Sequence, residues 1–186
     1  MLEVGCGREG GITRALADAG YDALGIDPDA PAGGRFLRVT LDDLDEQSFD
    51  AVVSERAFHH VHPLVEALDK VARMTSLVVV EEFAWDRIDD PTREWYEGQH
   101  RVLRAAGKEP KGPADLRAWR AGWDDLHPSS VILSELRSRF TEELLEWRPY
   151  LYRWLGGPAS ESLEQSLLDA RAIQPIGFRF VGTTPS

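Results

Sequence analysis

The chain has 186 residues, of which 42% are hydrophobic and 28% charged, a composition typical of one globular domain with a substantial core. The net charge of −11 disfavours binding to nucleic-acid backbones and to anionic membranes. The single cysteine, Cys6, excludes an internal disulfide and favours a reducing compartment. No apolar stretch is long enough for a membrane span. We therefore expect a cytoplasmic protein that binds neither nucleic acid nor membrane.

Short apolar runs alternate with helix-like stretches over residues 1–83. The candidate strands are Leu2–Val4, Ala23–Ile26, Phe36–Val39, Phe49–Val53 and Leu77–Val80. A helix is predicted from about Gly11 to Ala19, and Pro63 suits the first turn of another. Continuous apolar strands that alternate with helices indicate a parallel sheet covered on both faces.

The second half of the chain differs in character, since it contains all six tryptophans. Residues 84–128 look helical but irregular, with breaks expected at Pro91 and at several later glycines and prolines. The elements predicted after them are a helix over Ser130–Arg139, a strand over Leu144–Tyr152, a helix over Glu161–Ile173 and a strand over Gly177–Val181. We interpret residues 1–186 as one domain. Its parts are a cofactor-binding half (1–83), a helical cap insertion (84–128) and C-terminal strands and helices (129–186).

The most specific motif is the glycine-rich turn after the first strand. Gly5, Gly7 and Gly10 form a G-x-G-x-x-G, and Asp27 closes the next apolar strand about 20 residues further on. Glycines let the backbone turn sharply and let a ligand approach it closely. An acid at the end of the second strand can accept hydrogen bonds from both hydroxyls of a ribose. The pattern therefore predicts a cofactor that contains adenosine.

Glu3 bears on which adenosine cofactor this is. The glycine spacing fits a nicotinamide dinucleotide, but a carboxylate two residues before the first glycine would face the dianionic pyrophosphate. S-adenosylmethionine carries a sulfonium and an ammonium group and has no phosphate, so nearby acids are tolerated or favourable. The acid-x-Gly-x-Gly pattern thus favours S-adenosylmethionine, and a dinucleotide-dependent oxidoreductase is kept as an alternative.

Several ordered motifs resemble the class I S-adenosylmethionine-dependent methyltransferases, most of all the bacterial group that acts on small molecules. The motifs are Glu3–Gly7, Gly25–Asp27, Phe49–Val61, Leu68–Met74, Leu77–Glu82 and Ile176–Gly182, and the likeness is most specific over residues 2–83. The resemblance implies a Rossmann-like α/β fold, a mostly parallel sheet with an antiparallel last strand. It also implies methyl transfer from S-adenosylmethionine to a small-molecule acceptor.

The resemblance assigns roles around the glycine-rich turn by position. Gly5, Gly7 and Gly10 would shape the turn under the methionine part of the cofactor. Glu3 would lie near the α-ammonium group, directly or through water. Asp27 would bind the ribose hydroxyls.

Four further residues are assigned in the same way. Asp42 or Asp43, after the third strand, would face the adenine amino group, although both are also explained as solvated loop charges. Ser54 and Glu55, at the end of the fourth strand, would border the site of methyl transfer.

Candidates for a general base follow the fourth and fifth strands. Methyl transfer is an in-line displacement, and a base helps when the acceptor is a hydroxyl or an ammonium group. His59, Glu55 and Glu82 are the candidate catalytic residues, because ligands of open α/β sheets bind outside the carboxyl ends of the strands. His60 is predicted to be a structural histidine beneath the cofactor loop. The spacing of His59, His60 and His62 does not match a metal site, so no metal is expected.

Two alternatives concern the rest of the chain. Trp119 and Trp123, four residues apart, would share one helix face, either as core or as an aromatic wall for a planar acceptor. The chain begins two residues before Glu3, without the helices that precede the first strand in the family. This motivates a second hypothesis, a catalytically inactive methyltransferase-like protein that senses a ligand or binds a partner, including a second copy in a homodimer.

Overall fold

The computed structural model describes residues 1–123 and 125–185. Within these residues the strands are Leu2–Val4 (β1), Leu24–Ile26 (β2), Phe36–Leu37 (β3), Val52–Glu55 (β4), Leu77–Phe83 (β5), Thr141–Arg148 (β6) and Gly177–Thr183 (β7). The α-helices are Thr13–Asp18 (α1), Leu64–Met74 (α2), Asp90–Ala105 (α3), Leu116–Ala121 (α4), Ser129–Arg137 (α5) and Pro158–Asp169 (α6). None of the described helices has the length and apolar character that crossing a lipid bilayer requires.

The strands form one sheet in the order β3-β2-β1-β4-β5-β7-β6. β1 pairs in parallel with β2 and β4, and β4 pairs in parallel with β5. The register places Val4 beside Ile26 and Ser54, and Ser54 beside Val80. The C-terminal strands are antiparallel. The predicted α/β fold, mostly parallel with an antiparallel last strand, is therefore confirmed, and the carboxyl ends of β1, β2, β4 and β5 lie along one edge of the sheet.

The chain divides into two compact units. The first comprises residues 1–82, 130–146 and the chain from 179 onward, and the second comprises residues 83–129 and 147–178. The core of the first is built on β1, β4 and helix α2, where Leu2, Val52 and Leu68 are fully buried. The second has its own cluster of buried side chains: Phe83, Tyr96, Leu116, Tyr150, Leu151, Leu155 and Ile176. All six tryptophans belong to this second unit.

The sequence predicts a break in the helical region at Pro91, but this prediction is wrong. Pro91 lies in the first turn of α3, which continues without a break to Ala105. Proline is tolerated there, because the first N–H groups of a helix have no intrahelical acceptor. Asp89 caps the helix by accepting a hydrogen bond from the Thr92 N–H at 2.9 Å.

One strand and one helix in the C-terminal part of the chain have different bounds from those predicted. The strand expected over Leu144–Tyr152 starts earlier, at Thr141, and ends at Arg148, just before Pro149, which has no N–H to donate to a neighbouring strand. The helix expected from Glu161 already begins at Pro158, again with proline in the first turn.

Candidate functional site

The glycine-rich turn lies over the carboxyl end of β2. The N–H groups of Gly5 and Cys6 both donate to the Ile26 carbonyl oxygen, at 2.9 and 3.1 Å. One residue further, the Gly7 N–H donates to Asp27 Oδ2 at 3.0 Å. The two sequence features that predicted an adenosine cofactor, the turn and the acid, are thus joined by a direct hydrogen bond.

Gly5 and Gly7 both have a positive φ, which favours glycine, but the space around them differs. At Gly5, with φ of +82°, a Cβ atom would overlap the side chain of Ala57, which follows β4. At Gly7, with φ of +61°, no described residue apart from its two chain neighbours has an atom within 4 Å of the place that a Cβ atom would take. The Gly10 N–H closes the turn on the Gly7 carbonyl oxygen at 3.2 Å. The turn is therefore packed tightly on one side and open beside Gly7.

Glu3 is buried under the turn, with only 1% of its surface exposed. Its carboxylate accepts hydrogen bonds from the N–H groups of Ile12 and Thr13, at 3.0 and 2.6 Å, and from the Thr13 hydroxyl at 2.5 Å. A Cβ atom on Gly11 would overlap this carboxylate. Glu3 therefore holds the start of α1 against the turn, an arrangement that the sequence motif did not reveal. Its place beside the cofactor ammonium stays a prediction.

Cys6, between the two glycines, has an inert thiol. Burial raises the pKa of Cys6 to about 11, and the negative charges of Glu3 and Asp27 add to this effect. The group therefore stays a neutral thiol at physiological pH, and we assign it no nucleophilic role.

Ser54 is the last buried residue of β4 and lies in register between Val4 and Val80. Only 3% of its surface is exposed, and its Oγ has no hydrogen-bond partner among the described residues. A buried hydroxyl without a partner is unfavourable, and such groups often mark a ligand site. The next residue, Glu55, has its carboxylate 3.3 Å from the Nε of Arg56.

His59 and Glu82 form a buried pair at the same edge of the sheet. His59 Nδ1 lies 2.7 Å from Glu82 Oε2, and the other carboxylate oxygen accepts the Phe58 N–H at 2.6 Å. Glu82 is fully buried and His59 is 7% exposed. The structural histidine predicted at position 60 is wrong, because His60 is exposed and His59 is the buried one. Both histidines lie in one 3-10 turn, and the carboxylate on β5 selects which of them turns inward.

Asp42 and Asp43 lie in the loop after β3, and both are exposed. Asp43 accepts a hydrogen bond from the Thr40 hydroxyl at 2.7 Å. The loop is fixed by Lys70 of α2, whose buried Nζ donates to the carbonyl oxygens of Asp42 and Leu44, at 2.8 and 2.5 Å. Sequence reasoning missed this lysine, although its spacing from Ala67 and Met74 places it on the buried face of α2. Within the described residues, no group of three metal-ligating side chains occurs.

We expect Glu3→Ala to lower the free energy of unfolding by about 2 kcal/mol, because two backbone N–H groups and the Thr13 hydroxyl lose a buried acceptor. Urea unfolding followed by circular dichroism measures the change. Glu9→Ala removes the same charge from an exposed position of the same loop and should cost less than about 0.5 kcal/mol. Equal losses in the two variants would refute the stabilising role of the Glu3 carboxylate.

Known proteins share this sequence pattern and this fold. Residues 2–76 match a family model described as a methyltransferase domain. None of the curated protein sequences compared with the chain matches it. Among solved structures, an S-adenosylmethionine dependent methyltransferase from Mesorhizobium loti is similar, at 18% identity and a TM-score of 0.60, with 98% of this chain and 89% of that chain covered.

Two further solved structures show the same likeness. One is the geranyl diphosphate C-methyltransferase of Streptomyces coelicolor A3(2), in complex with Mg2+, geranyl diphosphate and S-adenosyl-L-homocysteine. Its identity is 11% and its TM-score 0.54, with 99% of this chain and 72% of that chain covered. The other is a Haloferax volcanii methyltransferase complex with an activator protein, at 16% identity and a TM-score of 0.57, with 100% and 82% covered.

The fold, which these structures share over nearly the whole chain, is that of the class I S-adenosylmethionine-dependent methyltransferases. The family match over residues 2–76 agrees with this fold and lies within the part of the chain where the sequence resemblance is most specific. The family resemblance stated from the sequence is thus confirmed, and S-adenosylmethionine is the methyl donor of the class.

Proposed function

We propose that the chain transfers the methyl group of S-adenosylmethionine to a small-molecule acceptor. The observation that carries this proposal is the unpartnered buried hydroxyl of Ser54 beside the open glycine turn and Asp27. These groups end neighbouring parallel strands, where ligands of open α/β sheets bind. A cofactor with hydroxyl and charged groups supplies the partners that this edge lacks in the protein alone.

Each part of the cofactor has residues suited to hold it. Asp27 keeps acceptor capacity beyond its bonds to the N–H groups of Gly7 and Asp29, so it can bind ribose hydroxyls. The open side of Gly7 admits the methionine part close to the backbone. Asp42 or Asp43 would contact the adenine amino group from the loop that Lys70 fixes.

The acceptor must lose a proton if it is a hydroxyl or an ammonium group. The bound cofactor supplies an electrophilic methyl group on sulfur, so the sulfur–carbon bond breaks as the acceptor–carbon bond forms. We assign the base to His59, because its Nδ1–H donates to the buried Glu82 carboxylate and the proton acceptor of the neutral ring is then Nε2. Glu82 is the positioning residue, and it stabilises the imidazolium that forms. Glu55, paired with Arg56, borders the site without this role.

Calorimetric titration with S-adenosylmethionine and with S-adenosylhomocysteine tests cofactor binding. We expect Asp27→Asn to weaken both roughly 10- to 100-fold, because a charged acceptor for the ribose hydroxyls is lost. Asp18→Asn, at the exposed end of α1, is the matched control and should leave both affinities unchanged. Absence of binding at millimolar ligand would overturn the proposal, and binding of NAD instead would support the oxidoreductase alternative.

Turnover separates an enzyme from a methyltransferase-like sensor. A panel of small hydroxyl and amine compounds, screened for release of S-adenosylhomocysteine, should identify an acceptor. Tight cofactor binding without release from any compound would favour the catalytically inactive alternative.

A further inference from the structure

The second unit contains a cavity of about 390 Å³, lined by the 3-10 helix after β5, the start of α3 and α4. This volume falls in the range of small-molecule sites in proteins. We propose that the cavity binds a small organic anion with a planar apolar body, such as an aromatic carboxylate. All its lining residues belong to the second unit, so the proposal does not depend on the methyl-transfer function.

Arg120 is the residue that points to an anion. Its guanidinium lies 3.9 Å from the ring centroid of Trp85 and donates a hydrogen bond to the Trp123 carbonyl oxygen. Among the residues that the structure describes, it forms no ion pair with an aspartate or a glutamate. A guanidinium held over an indole has its N–H groups in one plane, the geometry that binds a carboxylate through two parallel hydrogen bonds.

Each of the other charged groups of the cavity has a partner. Asp90 Oδ1 accepts from Arg93 at 2.7 Å and from Arg117 at 3.2 Å. The Asp86 carboxylate accepts from the N–H and the hydroxyl of Ser129, at 2.8 and 3.0 Å. Arg93 also pairs with Glu97 at 4.0 Å, so Arg120 is the lining arginine without a carboxylate partner among the described residues. An arginine in this position favours an anionic ligand over a neutral one of the same shape.

The apolar part of the cavity is held in place by its own contacts. The Trp85 indole N–H donates to the His127 carbonyl oxygen at 3.1 Å. Trp119 packs against Phe83 and Trp154, with ring centroids 5.5 and 5.3 Å apart. Rings fixed in this way offer apolar surface to a planar ligand with little loss of side-chain freedom on binding. The prediction that Trp119 and Trp123 share one helix face is wrong, because α4 ends at Ala121, before Trp123. The contacts of Trp119 alone support both a core role and a wall role.

Benzoate and its neutral isostere benzamide are the probes, titrated without any methyl donor. Calorimetry gives the affinity, and the indole N–H signals in NMR spectra report where the probe binds. We expect benzoate to bind at least about tenfold more tightly than benzamide, to weaken as salt is added, and to shift the Trp85 and Trp119 signals.

Variants locate the charge that matters. Arg120→Gln should weaken benzoate roughly tenfold, whereas Arg104→Gln, exposed near the end of α3 and outside the cavity, should not. Arg117→Gln lowers the cavity charge without removing the Trp85 contact, and it provides the same test if Arg120→Gln does not fold. The proposal would be overturned if benzoate and benzamide bound equally well or if the indole signals did not shift. It would also be overturned if the cavity variants and the control variant bound benzoate with equal affinity. Because these titrations contain no methyl donor, a negative result would not bear on the methyl-transfer proposal.

Discussion

His59→Gln is expected to lower kcat for the methyl acceptor roughly 10²- to 10⁴-fold, the range typical for loss of a general base. Glutamine can still donate a hydrogen bond to the buried Glu82 carboxylate, so the protein should fold, but it cannot take a proton from the acceptor. The Kd for S-adenosylmethionine should not change. The rate is measured as release of S-adenosylhomocysteine with the acceptor found in the compound screen.

His60→Gln is the matched control, because His60 is the neighbouring histidine and is exposed. It should keep the rate of the unmodified protein. An unchanged rate in His59→Gln would remove His59 from the mechanism.

Glu164→Ala is expected to lower the free energy of unfolding by about 3–5 kcal/mol, because three backbone donors lose their acceptor at once. The fully buried Glu164 carboxylate accepts the N–H groups of Tyr150, Leu151 and Tyr152, at 2.8, 3.1 and 2.7 Å. It thereby joins α6 to the turn that follows β6. Urea unfolding followed by tryptophan fluorescence measures the loss, since all the tryptophans lie in this unit.

Glu161→Ala, in the first turn of the same helix, is the matched control and should cost about 0.5 kcal/mol through the helix dipole alone. A loss in Glu164→Ala no larger than in this control would contradict the capping role.

The contribution of the Glu164 carboxyl group to stability is expected to depend on pH. Burial raises the pKa of Glu164 above its ordinary value of 4.5, outweighing the opposite effect of the three N–H donors. A group whose pKa is higher in the folded state stabilises less once it is ionised, so its contribution falls as the pH rises through the folded-state pKa. The stability advantage of the unmodified protein over Glu164→Gln should therefore shrink between pH 4 and pH 7.

The features that the sequence predicted correctly depend on short stretches of chain. The parallel strands follow from continuous apolar runs, and the link between the glycine turn and Asp27 follows from a motif confined to one strand–helix–strand unit. Both depend on neighbouring residues, so a pattern of spacing is enough to find them.

The features that the sequence did not predict depend on distant partners. Whether His59 or His60 turns inward is decided by Glu82, 23 residues after His59. The Lys70 ammonium reaches carbonyl groups 26 and 28 residues earlier in the chain. The turn after β6 is fixed by a carboxylate on α6. No spacing rule connects such pairs, because the contacts exist only once the elements have packed.

The contact between Glu3 and Gly11 has a consequence for how this sequence can vary. Any side chain at position 11 would displace the buried carboxylate, and loss of that carboxylate would leave the first turn of α1 without its acceptor. Positions 3 and 11 are therefore expected to co-vary during evolution. Functional relatives should keep the acid and the glycine together or replace both at once, and a random library varied at position 11 alone should return almost only glycine.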